Sequence, residues 1–350
     1  MSSKASSTSG SRGALRPVQS LVRSVGAETL DKQDPRWSME RRLVKWMLHQ
    51  VTGKCEIQRI LDGEAWHSVR MSRSLSKSLQ LTRQLPNVRE LIFIDVSEGF
   101  NVNSVATNIM DLKVVGVENA RLRHLRRCLG DLRKANSFLV ELDRSRKVKF
   151  DSQEPFHTEL LQRLWKGLLP GEAAPVGKDW KRVGFQGPDP GTDFRGMGLL
   201  SLEALVHFVE RNQDAARLIM NLYEELGFAI TGINLAGFTL RMFETRQLDH
   251  IFFAAPGAAG DDTELEINGD EADFGDSSTT ENSKLLSDDP STVRHDLHDR
   301  AVAIFAEQFG HYLREFFSRQ WRTGDRNIMN FGIHLATFEA RVRQRLYGAT

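Results

Sequence analysis

The 350-residue sequence predicts an all-α protein, and three observations carry that prediction. Apolar residues recur at spacings of three and four in segment after segment, which is the period of one helix face. Glycine or proline punctuates the ends of those segments. Apart from LIFIDV, Leu91 to Val96, no run reads as a buried strand; that run also suits a buried helix, and periodicity does not separate the two. Hydrophobic residues form 40% of the chain, enough for a sizeable core in one large domain or two modest ones.

The elements follow in order. Residues 1–34 read as a disordered or targeting tail. Its first part is serine-rich, carries Lys4, Arg12, Arg16 and Arg23, and has no acid before Glu28. Ala14, Leu15, Val18, Leu21, Val22 and Val25 share one helical face, with Pro17 confined to its start. A plain tail and a mitochondrial transit peptide both fit. Ser2 excludes N-myristoylation, which needs glycine there.

Residues 35–150 form an N-terminal helical region. Met39, Leu43, Trp46, Met47 and Val51 fall on one helix face, and Thr52-Gly53 interrupts it. Leu122, Leu125, Leu129 and Leu132 repeat the pattern inside a basic segment with Arg121, Arg123, Arg126, Arg127, Arg133 and Lys134. That cluster is either a solvated helix face or a patch for a phosphoinositide or an acidic partner.

Residues 151–256 carry the strongest pattern. HTELLQRLWKGLLP predicts a helix with Leu160, Leu161, Leu164, Trp165 and Leu168 inward, ended by Pro170-Gly171. A loop of about 25 residues follows, a length that is often functional in a compact domain. LLSLEALVHFVE resumes with Leu202, Leu205, Val206 and Val209. A further helix uses Ala215, Leu218, Ile219, Leu222, Tyr223 and Leu226. FAITGINLAGFTLRMFETRQL is apolar on most sides.

Residues 257–290 are rich in Asp, Glu, Ser, Thr and Gly, with Lys284 the single base. Such a segment buries too little apolar area to offset its ordering entropy, so it reads as a disordered acidic insertion. It is either a bland solvated insert or a segment that is regulated or binds a basic partner. Residues 291–350 supply two closing helices, one with Val302, Phe305, Phe309, Tyr312 and Phe316, the other with Phe331, Leu335, Phe338, Val342 and Leu346.

Composition removes several functions. Lys and Arg number 47 and Asp and Glu 46, so the basic excess of a nucleic-acid binder is missing. Cys55 and Cys128 are the two cysteines, too few for a zinc ribbon or a disulfide framework, which suits a reducing, cytoplasmic setting. No apolar run reaches a membrane span of about 18 residues or more. Gly196-Met197-Gly198 is a lone G-x-G with no lysine for phosphate, so no nucleotide loop is present. No nucleophile elbow exists. His295 and His298 lack a third ligand and read as surface residues, so neither metal nor cofactor is expected.

The long loop contains GFQGPDPGTDFRG, Gly184 to Gly196, with four glycines and two prolines. Glycines open backbone conformations closed to other residues, and Pro188 and Pro190 stiffen the approach. Thr192 or Asp193 can cap the helix that follows. The product is one guanidinium, Arg195, on a short ordered turn. Arginine offers a permanent charge and a fork of donors matched to phosphate oxygens. Two readings stay open: a finger presented to another protein's nucleotide, or a residue that pairs with Asp189 or Asp193 and pins the loop.

Trp180, Val183, Gly184, Phe185, Gln186, Gly187, Asp189, Pro190, Thr192, Asp193, Phe194, Arg195, Gly196, Gly198, Leu200, Leu202, Leu205 and Phe208 resemble the signature of the ELMO domain. TGKCEIQRIL, Thr52 to Leu61, is similar to the N-terminal part of the compact ELMO-domain-containing (ELMOD) proteins. The resemblance is closest over residues 150–255, extends to 35–62 and 292–347, and fades over 63–115. His207 departs from it, standing where an aromatic residue is frequent.

The resemblance implies an all-helical, single ELMO-type domain. It also implies a GTPase-activating protein for Arf-family or Arf-like small GTPases in their GTP-bound state, with Arg195 as the catalytic finger. Gln186 would support the loop or touch a switch region. Phe185 and Phe194 would brace the loop, and Trp180 would anchor it. The larger ELMO scaffolds carry further domains and proline-rich tails; with 350 residues and no P-x-x-P among them, the compact type is the expectation. A GTPase effector or scaffold that binds through the same loop without accelerating hydrolysis is the alternative. Peripheral membrane association, with a mitochondrial or endomembrane location, stays open through the tail.

Overall fold

A computed structural model describes residues 39–64, 66–82, 84–94, 100–113, 115, 118–255, 290–324 and 326–348, with no strand among them. Helices α1 (Met39–Thr52), α2 (Glu56–Asp62) and α3 (Val69–Leu81) lead to a short α4 (Pro86–Arg89), which continues as a π-helical turn over Glu90–Ile94. Then come α5 (Val102–Lys113), α6 (Asn119–Lys147) and α7 (Pro155–Leu168). Two 3-10 turns, Gly177–Val183 and Pro190–Arg195, precede α8 (Gly198–Arg211). The rest are α9 (Gln213–Leu222), α10 (Phe228–Glu244), α11 (Asp249–Ala254), α12 (Pro290–Glu315) with a π-helical end over Phe316–Trp321, and α13 (Phe331–Gly348).

Two helices organise the rest. The leucine spacing of the basic segment produces α6, which buries Leu125, Leu129, Leu132, Phe138 and Leu142 and carries α2, α3, α5 and α11 against its sides. Helix α8 lies among α6, α7, α10 and α12. The predicted stripe of Leu202, Leu205, Val206 and Val209 is buried, and so are Leu199, Leu200, Ala204 and Phe208, because partners surround the helix. Around it Phe208, Phe228, Phe238, Phe243, Phe305, Phe309 and Tyr312 fill the core, several in edge-to-face or offset contact.

Several sequence expectations hold. LIFIDV, which periodicity leaves open between a strand and a buried helix, is helical through Ile94, with Ile92 buried; Asp95 and Val96 fall outside the described residues. Helix α7 buries all five predicted side chains. Phe305, Phe309, Tyr312, Phe316, Phe338 and Val342 are buried as the closing pattern required, while Val302, Phe331, Leu335 and Leu346 pack at its edge.

One expectation changes, and for two further segments the structure adds what the pattern left open. The segment after α8 is a shorter helix with a different inner face: Ala216, Ile219 and Met220 are buried, whereas Leu218 and Leu222 are 59% and 53% exposed. Tyr223 and Leu226 are buried on the turn beyond it. The stripe of α1 lies outside the core, with Leu43, Trp46, Met47 and Val51 all more than half exposed. The long loop is two ordered 3-10 turns. The tail at 1–34 and nearly all of the acidic insertion lie outside the described residues.

Candidate functional site

The loop is built turn by turn from local chemistry. Gly184 closes the first 3-10 turn at φ +92°, a region that costs other residues dearly. There its carbonyl accepts from the Ile230 amide at 3.1 Å, tying the loop to the start of α10. The second turn opens at Asp189, whose side chain accepts from the Gly191 amide at 2.9 Å. Pro190, in its first position, has φ already set and needs no donor there. The Thr192 hydroxyl donates back to the Asp189 carbonyl at 2.9 Å. Asp193 reaches across the loop to accept from the Gln186 amide at 2.9 Å. Gly198, at φ +52°, sits against the carbonyls of Arg146 and Val148, and the Leu199 amide donates to the Val148 carbonyl at 2.9 Å.

Beneath these turns runs a row of rings. Trp165 meets Trp180 at 5.6 Å between centroids, Trp180 meets Phe185 at 5.8 Å, and Phe185 meets Phe194 at 5.6 Å, each nearly edge-on. Phe150 continues the row at 5.6 Å from Phe194 and reaches His157 at 5.8 Å. Trp180, Phe185 and Phe194 are buried beneath the loop and offer little surface to a partner.

Arg195 ends the second turn and is exposed. Its Nε donates to the Thr192 carbonyl at 2.9 Å. Among the described residues neither terminal guanidinium nitrogen has a partner. Among the described residues Arg195 makes no ion pair with Asp189 or Asp193; one oxygen of each carboxylate accepts instead from a backbone amide of the loop. The capping expectation is corrected too: neither Thr192 nor Asp193 caps α8, which starts after Met197 with no side-chain cap. The 3-10 turn lies between, and those two side chains serve it instead. Gln186 is exposed, and Gly196 has open space around it.

The other singled-out groups are dispersed. Arg121 pairs with Asp62 at 2.6 Å and with Glu118 at 3.0 Å, and Lys134 donates to the Ala255 carbonyl at 2.9 Å, so part of the basic cluster is spent within the fold. His298 approaches the buried Glu203 at 3.8 Å and Asp299 at 3.3 Å, while His295 is exposed. His207 is half-buried, and burial, followed by Arg211, lowers its imidazole pKa.

Sequence reasoning missed Phe150, His157, Gly227 and Val148, which the loop rests on. They come from other segments, and only Gly227, a glycine just before an apolar run, carried a local signal.

The fold and site define a class: an all-helical domain that stiffens one loop from beneath and holds Arg195 out on it, while Arg182 earlier in the loop pairs with Glu172. The chain belongs to the ELMO/CED-12 family, whose family model matches residues 140–335, the stretch containing that loop. ELMO domain-containing protein 2 of Homo sapiens is 33% identical over 227 residues, which cover 61% of this chain and 74% of that protein. ELMO domain-containing protein B of Dictyostelium discoideum is 29% identical over 222 residues, covering 61% and 77%. ELMO domain-containing protein 1 of Bos taurus is 29% identical over 245 residues, covering 62% and 73%. No solved structure gives a significant match.

Proposed function

We propose that this protein is a GTPase-activating protein for an Arf-family or Arf-like small GTPase and that Arg195 is its arginine finger. The observation that carries the reading is the state of Arg195: exposed, oriented through Nε by its own turn, and ignored by both neighbouring acids. The terminal nitrogens then meet the β–γ bridging and γ-phosphate oxygens of the partner's GTP as charge develops there. Fingers supplied in trans contribute about 10³–10⁵ in rate, or roughly 4–7 kcal/mol of barrier. The GTPase brings the nucleotide and its Mg²⁺. Gln186 and Gly196 line the approach, and the ring row keeps the turn from yielding on contact.

The test is single-turnover GTP hydrolysis by purified Arf and Arf-like GTPases with wild type, Arg195→Lys and Arg195→Ala. Lysine keeps the charge and loses both the fork and the Nε anchor. Both variants should fold normally and lose at least about 100-fold of the stimulation. Full stimulation by Arg195→Lys would remove the finger role. GTP-dependent binding with an unchanged hydrolysis rate would make the protein an effector.

A further inference from the structure

Helix α1 stands out because almost none of the described residues cover it. Leu43, Val44, Trp46, Met47, Leu48 and Val51 are between 43% and 84% exposed. At 100° per residue these six span an arc of roughly 200°, in which Gln50 near one edge and Glu40, in the first turn of the helix, are the polar residues. Lys45, His49 and Thr52 occupy the opposite side. Lys45 pairs with Glu56 at 2.9 Å, and His49 donates to the Lys54 carbonyl at 3.2 Å, so the polar side faces the body and the apolar side faces outward. The segment MERRLVKWMLHQVT carries Arg41, Arg42 and Lys45 against Glu40, a basic balance.

We propose that α1 docks on an anionic membrane surface, with the Leu43, Trp46 and Met47 face laid into the headgroup boundary. A helix of this length is marginal in water without a packed face, so its apolar side calls for a cover. The arc is wider than the narrow seam that pairs two helices in a coiled coil, which argues against a second copy. A broad apolar face with tryptophan, on a segment whose Arg41 and Arg42 outnumber its one acid, matches a helix lying in a bilayer interface, where acidic headgroups answer the positive charge. No helix among the described residues is long and apolar enough to cross a membrane, so the attachment is peripheral. The inference stands apart from the reading of Arg195.

The experiment is flotation of the full chain with vesicles of phosphatidylcholine alone or mixed with phosphatidylserine. Binding should favour the phosphatidylserine vesicles, weaken as salt rises, and fall about tenfold or more in a Leu43→Glu/Met47→Glu double variant. Both side chains are exposed, so that variant should keep the wild-type thermal transition. Equal flotation of variant and wild type would overturn the proposal, as would no flotation at all. A wild-type dimer that the double variant converts to monomer would assign the face to a second copy instead. Hydrolysis measured in solution with a soluble GTPase should be the same for variant and wild type, which separates this outcome from that for Arg195.

Discussion

Gly184 and Gly227 interlock. Their φ angles are +92° and +75°, and a Cβ added to Gly184 would stand 2.7 Å from the Gly227 Cα and 2.5 Å from its carbonyl carbon. Backbone meets backbone there, so no side chain can move aside. This contact fastens the arginine-bearing loop to the start of α10.

Gly184→Ala should therefore cost at least about 2 kcal/mol, combining a left-handed penalty with a clash that must displace the chain. Gly196→Ala is its control: φ is −88°, and nothing lies within 4 Å of the new methyl. Urea unfolding should place Gly196→Ala within about 0.5 kcal/mol of wild type. Equal stability of the two variants would show that the interlock carries no weight.

Asp193 closes the loop through the Gln186 amide, and removing it should loosen the turn that orients Arg195. Asp193→Ala should lose about 0.5–1.5 kcal/mol, the net range for a hydrogen bond, since this one is open to solvent. Stimulation of hydrolysis should fall with it. Asp193→Asn keeps an acceptor oxygen and should retain most of both. If alanine and asparagine behave alike, the carbonyl-type acceptor is not what matters.

His250 gives the stability a defined pH dependence. Burial first, then Arg73 and Lys77, bring its imidazole down to about 4, from 6.5 in the unfolded chain. Between those values the unfolded chain binds the proton more readily, so stability falls as pH drops from about 6.5 to 4. Neighbouring Asp249 opposes this, since burial lifts its carboxyl from 3.8 to about 6 and its contribution to stability declines as pH rises through that window. His250→Gln removes the first effect alone. Its unfolding free energy should lose less on acidification than that of wild type, and an identical slope would contradict the assignment.

The end of α12 and α13 are joined by Glu315 and Arg345. Arg345 donates to the two carboxylate oxygens at 2.6 and 2.9 Å and holds the buried Glu315 carboxyl below its usual range. Arg345→Met leaves that carboxylate without its fork. Because the Arg345 side chain is 45% exposed, the loss should be about 1–2 kcal/mol rather than the larger cost of a fully buried pair. The difference should shrink as pH falls below about 4.5, where the unfolded carboxylate protonates. Thermal melts at neutral and acidic pH would read it.

The sequence by itself determined the helical class, the inward faces of α7 and the closing pair, and the interest of Arg195. Those features are local: periodicity reports which residues share a face, and a glycine- and proline-rich turn reports where the backbone is constrained. Tertiary structure alone decided what covers each face. The stripes of α1 and of α9 look alike as patterns, yet α1 projects outward, and Leu218 and Leu222 of α9 stay exposed while Ala216 and Met220 turn in. Tertiary structure also decided the direction of Arg195. Asp189 and Asp193 lie within reach in sequence, but their oxygens accept from the Gly191 and Gln186 amides. A hydrogen bond made across a folded loop depends on where the chain returns, and spacing along the chain does not specify that.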